Sequence, residues 1–196
     1  MFKILELKNK TLVSCSYDSS IIFYLKDDNE YKKDYQIKTK GSCYTIIQTR
    51  DNEICYSECN NDAICFYNIL ERKVKATISK ISKYNGCIAW LIMIKKDLLL
   101  IPGKNQLSII NFNEYKLVRT INVPDASTIT GVCLLNKDML LTGDYSETIR
   151  QWKIEGDNLI LISKKEKAHK KDINVLLNMG NGFIASGSDD KTIKIW

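Results

Sequence analysis

The sequence predicts an all-β fold assembled from repeats of about 43 residues. Three observations predict it. The last eleven residues, 186–196 (SGSDDKTIKIW), are echoed at 14–24 (SCSYDSSIIFY), 57–67 (SECNNDAICFY), 100–110 (LIPGKNQLSII) and 142–152 (TGDYSETIRQW). The residues closing these segments, Tyr24, Tyr67, Ile110, Trp152 and Trp196, are separated by 43, 43, 42 and 44 positions. Within each interval, short apolar runs rich in β-branched and aromatic side chains end at turn-forming clusters, without helical periodicity.

The strands follow in chain order. The first repeat (1–24) holds three, at 2–7, 11–14 and 20–25. The second (25–67) holds four, at 31–37, 43–48, 53–57 and 63–69. The third (68–110) places them at 73–78, 86–94, 98–101 and 106–112, and the fourth (111–152) at 117–123, 128–135, 139–143 and 148–154. The fifth (153–196) shows the logic most clearly. A strand at 158–162 leads into a charged loop, 173–177 ends at the turn cluster Asn178-Met179-Gly180-Asn181-Gly182, 183–187 ends at Asp189-Asp190, and 192–196 closes the chain. Many of these strands are apolar on both alternations, as expected of sheets covered on each face. Small four-stranded meanders stacked face to face form a β-propeller, here with about five blades in one repeat region, 1–196.

The segment SGSDDKTIKIW is similar to the end of a blade in the WD-repeat family, and Ala168-His169 stands where that family places its Gly-His pair, 27 residues before Trp196. The resemblance implies a buried structural tetrad of His169, Ser186, Asp190 and Trp196. Imidazole can donate to a carboxylate and accept from a hydroxyl while an indole N–H meets the same hydroxyl. The earlier repeats keep parts of this set. The fourth retains Thr142 and Trp152, with Asp125 at the histidine position and Ser146 at the aspartate position. The first retains Ser14 and Asp18 with Tyr24 for tryptophan. The second has Ser57, Asn61 and Tyr67 with Lys40 for histidine. The third loses every polar member around Pro102-Gly103-Lys104.

Counting back from Tyr24 places the first blade's histidine position before Met1, and the last blade stops at its third strand. Nineteen strands are therefore expected. Such an arrangement implies an open arc, a fragment of a seven-bladed ring, or a ring with a three-stranded last blade. Incomplete terminal blades would offer edges for association.

Composition narrows the function classes. The chain has 196 residues, 44% of them hydrophobic, and its longest apolar run, 87–94, is far short of a membrane span. No targeting segment is visible, and an intracellular protein is expected, cytoplasmic rather than nuclear. Seven cysteines (Cys15, Cys43, Cys55, Cys59, Cys65, Cys87, Cys133) lack the spacing of a disulfide framework and read as small apolar residues. Cys55, Cys59 and Cys65 lie close enough to suggest a metal, but the single histidine is too distant in sequence to complete a zinc set, so no cofactor or metal is expected. The net charge of +6 rests on 29 basic residues, of which only Arg50, Arg72, Arg119 and Arg150 are arginine. Arginine is the preferred fork for phosphates and guanine edges, which argues against a dedicated nucleic-acid binder.

His169, Ser186 and Asp190 have the residue types of a hydrolase triad. No nucleophile elbow surrounds Ser186, and the repeat accounts for all three. The sequence therefore points to a non-catalytic scaffold or adaptor that binds other proteins through its loops. The blade-joining run Lys164, Lys165, Lys167, Lys170 and Lys171 is the candidate surface for an acidic partner. The alternatives are lysine-mediated binding of RNA or anionic lipid, or a truncated gene product without independent function.

Overall fold

A computed structural model describes residues 2–81 and 88–196. Residues 86 and 87 of the expected strand 86–94 lie outside them. Nineteen strands and no helix occur among the described residues, grouped into two compact units, 1–91 and 92–196.

The first unit holds two four-stranded antiparallel sheets in sequential order. One comprises β1 (Lys3–Glu6), β2 (Leu12–Cys15), β3 (Ser20–Asp27) and β4 (Glu30–Lys38). The other comprises β5 (Ile46–Arg50), β6 (Glu53–Glu58), β7 (Ala63–Asn68) and β8 (Lys73–Ser79). Every residue of β6 is buried, which explains a strand apolar on both alternations. Val13, Cys15, Ile21 and Phe23 from the first sheet share an apolar cluster with Ile46, Ile54, Tyr56 and Cys65 from the second. The outer strand β4 is largely exposed and charged.

The second unit holds three sheets. They comprise β9 (Ile92–Lys95) through β10 (Leu98–Pro102), β11 (Gln106–Asn111) and β12 (Lys116–Asn122); β13 (Ile129–Asn136) through β14 (Met139–Asp144), β15 (Ile149–Glu155) and β16 (Asn158–Lys165); and the three-stranded β17 (Ile173–Gly180), β18 (Phe183–Ser188) and β19 (Ile193–Ile195). The first strands of successive sheets lie beside one another, β9 against β13 and β13 against β17. Leu100, Leu107 and Ile109 pack on Val132, Leu140 and Trp152, and Leu141 and Ile149 pack on Ile173, Leu176 and Ile184.

Two expected strands are shorter than the sequence suggests. Among the described residues of the run 86–94 the strand begins at Ile92, in β9, and Leu100 is the last residue of β10 with a partner there. Pro102 has no N–H to offer, so the ladder cannot extend toward it. Ile88 and Leu91 are buried without joining the ladder. The expected strand 43–48 begins instead at Ile46, because Cys43 N–H bonds to the Ser16 carbonyl and the N–H groups of Tyr44 and Thr45 both reach Ser57 Oγ at 3.2 Å. These contacts hold 43–45 as a loop.

The cysteines also depart from expectation at one place. Cys15, Cys43, Cys55, Cys65 and Cys133 are buried free thiols, whereas Cys59, in the turn after β6, is disulfide-bonded. Apolar spacing does not signal this constraint, because a pairing is set by which turns the fold brings together. The β6–β7 register sets Cys55 opposite Phe66 and Cys65 opposite Tyr56, on opposite faces of the sheet. Among the described residues no cluster of three or more His, Cys, Asp or Glu could hold a metal ion, and no helix is long and apolar enough to cross a membrane.

Candidate functional site

The loop from β16 to β17 brings His169 under the turn between β18 and β19. His169 is 2% exposed. Its Nδ1 lies 2.9 Å from Asp190 Oδ2 and its Nε2 lies 2.6 Å from Ser186 Oγ, while Trp196 Nε1 donates to the same Ser186 Oγ at 2.8 Å. One proton arrangement satisfies the chain: indole N–H to serine oxygen, serine O–H to Nε2, and Nδ1–H to the carboxylate. All four expected members are thus brought together.

Asp190 ties this network to the backbone on both sides. It accepts from Lys170 N–H at 3.0 Å, from Thr192 N–H at 2.9 Å and from the Thr192 hydroxyl at 2.5 Å. The Lys170 N–H and the Thr192 hydroxyl, with His169 adding to them, hold its carboxyl well below the usual carboxylate range. The serine that a triad would use is completely buried and already engaged by two ring nitrogens.

The incomplete sets behave differently. Trp152 Nε1 donates to Thr142 Oγ1 at 2.9 Å, matching the Trp196–Ser186 contact. Ser14 Oγ meets Tyr24 OH at 3.4 Å, but Asp18 does not join them; it accepts from Ser20 Oγ at 2.5 Å within its own turn. In the second sheet Ser57 caps the 43–45 loop, and buried Glu58 accepts from Lys40 N–H at 3.1 Å and Asn61 Nδ2 at 3.5 Å. The third repeat was expected to retain no polar member, yet Gln106 Nε2 donates to Ser108 Oγ at 3.2 Å in its core. These residues sit on β11, outside the positions that the motif compares.

Sequence comparison of the repeats also missed the charged centre of the fourth. Arg150 and Asp144 are each 1% exposed and form an ion pair. The second guanidinium nitrogen of Arg150 reaches Asp125 Oδ2 at 3.2 Å, and Lys164 Nζ reaches the same carboxylate oxygen at 3.2 Å. Asp144 also accepts the N–H groups of Ser146 and Thr148. An arginine here occupies the position of Lys194 in the last repeat, whose ammonium donates to the Ala168 carbonyl at 2.5 Å. That equivalence was the available signal.

The five candidate lysines do not form one patch. Lys164 is neutralised by Asp125 and by Glu166 at 2.7 Å. Lys165 borders a cavity of about 190 Å³ together with Leu141, Ile149, Ile184 and Trp196. Lys167, Lys170 and Lys171 are exposed on the loop, while the intervening Ala168 and His169 are buried. Ala168 N–H bonds to the Glu147 carbonyl at 2.8 Å, so the loop is pinned between its lysines.

A family model described as WD domain, G-beta repeat matches residues 162–196, the stretch that contains the full tetrad. A chain of the mitotic checkpoint complex aligns with a TM-score of 0.79 and 13% identity, covering 95% of this chain and 58% of that one. This chain has a WD-repeat β-propeller fold. The WD40 β-propeller domain of Doa1 is also similar, with a TM-score of 0.73 and 18% identity over 94% of this chain and 60% of that domain chain. The chain therefore spans less than two thirds of either structure, and at such identities the likeness concerns the fold alone. No curated protein matches it. In WD-repeat terms the last blade carries the full tetrad, the fourth replaces its histidine arm with an Asp–Arg–Asp cluster, the first two keep fragments, and the third keeps none at the compared positions.

Proposed function

We propose that this chain is a non-catalytic WD-repeat scaffold that engages an acidic segment of a partner protein through its blade-joining loops. The observation that carries the proposal is the coupling of the buried His169 network to the basic loop. His169 and Ala168 anchor the loop from within, and Lys170 N–H is fixed by Asp190. Lys167, Lys170 and Lys171 therefore project from a constrained backbone, which lowers the entropy lost when a partner docks. A rigid scaffold presenting loop side chains is a recognition device. The histidine that acid–base chemistry would need is held inside, away from any substrate.

The test is a triple charge reversal, Lys167→Glu, Lys170→Glu and Lys171→Glu. These side chains are exposed, so the thermal midpoint should stay within about 2 °C of the parent, as for surface changes near ±0.5 kcal/mol. Proteins that co-purify with the parent chain from its native cells and cross-link to this loop should be lost with the variant. Retention of the same cross-linked proteins would overturn the proposal. Salt-sensitive capture of RNA or acidic liposomes instead would favour the lysine-mediated alternative.

A further inference from the structure

Cys15 and Cys43 are both completely buried and belong to the same apolar cluster of the first unit. They are 28 positions apart in sequence but adjacent in space. Cys43 N–H donates to the carbonyl of Ser16, the neighbour of Cys15, at 3.0 Å. Lys3 is the register partner of Cys15 across β1 and β2, so both side chains stand on one face. From there Lys3 Nζ reaches Thr45 Oγ1 at 3.3 Å, two residues beyond Cys43, and Cys43 Sγ lies 3.5 Å from the Thr45 carbonyl. The ammonium thus extends past one thiol toward the loop that holds the other. Phe2 N–H bonds to the Cys15 carbonyl, the Phe2 and Tyr44 rings stack at 4.1 Å, and Tyr17 packs edge-on against both.

From this arrangement we infer that Cys15 and Cys43 form a reversible disulfide site that takes a low-molecular-weight disulfide as its oxidant. The nearby Cys43 thiol, helped by the Lys3 N–H and ammonium against the effect of burial, holds Cys15 below the ordinary thiol range, while the proximity of Cys15 and burial push Cys43 up. Cys15 is therefore the attacking thiolate. Its sulfur lone pair forms a bond to one sulfur of the oxidant, the oxidant's S–S bond breaks, and one thiolate leaves and takes up a proton. Cys43 then loses its proton and attacks Cys15 Sγ, expelling the second thiol. The protein dithiol is oxidised by two electrons and the small disulfide is reduced to two thiols.

Burial makes access the slow step. β1 is a four-residue strand at the sheet edge, and its opening removes Lys3 from over Cys15. The cross-link would join β2 to the loop entering β5.

The intact chain is incubated in mixtures of reduced and oxidised glutathione, quenched in acid, alkylated, and mapped by peptide mass spectrometry. The expected product is a peptide pair joined through Cys15 and Cys43, lighter by two hydrogens and restored by excess reduced glutathione. Cys133, a buried free thiol of the second unit, should remain alkylatable. Cys43→Ser should accumulate glutathione on Cys15, because the resolving thiol is then missing. Free Cys15 and Cys43 at every ratio, or cross-linking only after urea denaturation, would overturn the inference.

Discussion

Ser186 Oγ stands 2.6 Å from His169 Nε2 and 2.8 Å from Trp196 Nε1, so one buried hydroxyl bridges the blade-joining loop and the last strand of its sheet. Removing the imidazole leaves this hydroxyl and Asp190 each short of a partner. A buried group so deprived costs about 1–3 kcal/mol. His169→Ala should therefore lower the urea midpoint and the thermal midpoint by an amount in that range, with unchanged strand content by circular dichroism.

The fourth blade should respond more strongly. Arg150→Met leaves the buried carboxylate of Asp144 without its cation, and breaking such a pair costs about 3–5 kcal/mol. Adding Asp144→Asn removes the charge but keeps an oxygen for Ser146 and Thr148 N–H. The double variant should be more stable than Arg150→Met alone in urea unfolding. A double variant that is weaker still would show that the pair contributes through something other than charge compensation.

Acid should weaken the last blade through Asp190. The folded chain holds this carboxyl deprotonated to lower pH than the unfolded chain does. As pH falls, the unfolded chain takes up the proton first. The stabilisation is complete above about pH 5 and is lost as pH drops through about 4 and toward the lower folded value. The stability gap between the parent and Asp190→Asn, followed by urea titration at several pH values, should be constant near neutrality and close under acid.

Two glycines separate steric from conformational demands. A Cβ on Gly41 would lie 1.9 Å from the Cys59 carbonyl oxygen, which is backbone and cannot swing aside. Gly41→Ala should cost at least the roughly 3 kcal/mol at the upper end of overpacking effects. Gly156 has φ near +62° and open space around the added carbon. Gly156→Ala should cost only the left-handed conformational penalty of about 1–2 kcal/mol. Paired unfolding curves compare them directly.

The blade architecture was legible because its turns are punctuated and its closing residues recur at fixed intervals. The tetrad was legible because all four members survive in one repeat. Less legible was anything decided by a neighbour. Residues 43–45 leave the ladder because Ser16 and Ser57 capture their N–H groups, and Ile88 and Leu91 are buried without pairing, a state that apolarity does not distinguish from a strand. Motif comparison asks what replaces histidine and finds Asp125, but Arg150 and Asp144 escaped it because they reach that carboxylate and each other from β15 and β14, at positions outside the tetrad. The lysine run looked uniform in sequence, but Asp125 and Glu166 remove Lys164 from it.

A double-mutant cycle on His169 and Ser186 tests the central claim that the only histidine serves the fold. Urea unfolding of the parent, His169→Ala, Ser186→Ala and the double variant gives the coupling energy. The two losses should overlap by about 1 kcal/mol or more, as expected of partners in one buried network. Losses that add within about 0.3–0.5 kcal/mol would contradict the structural role assigned to His169.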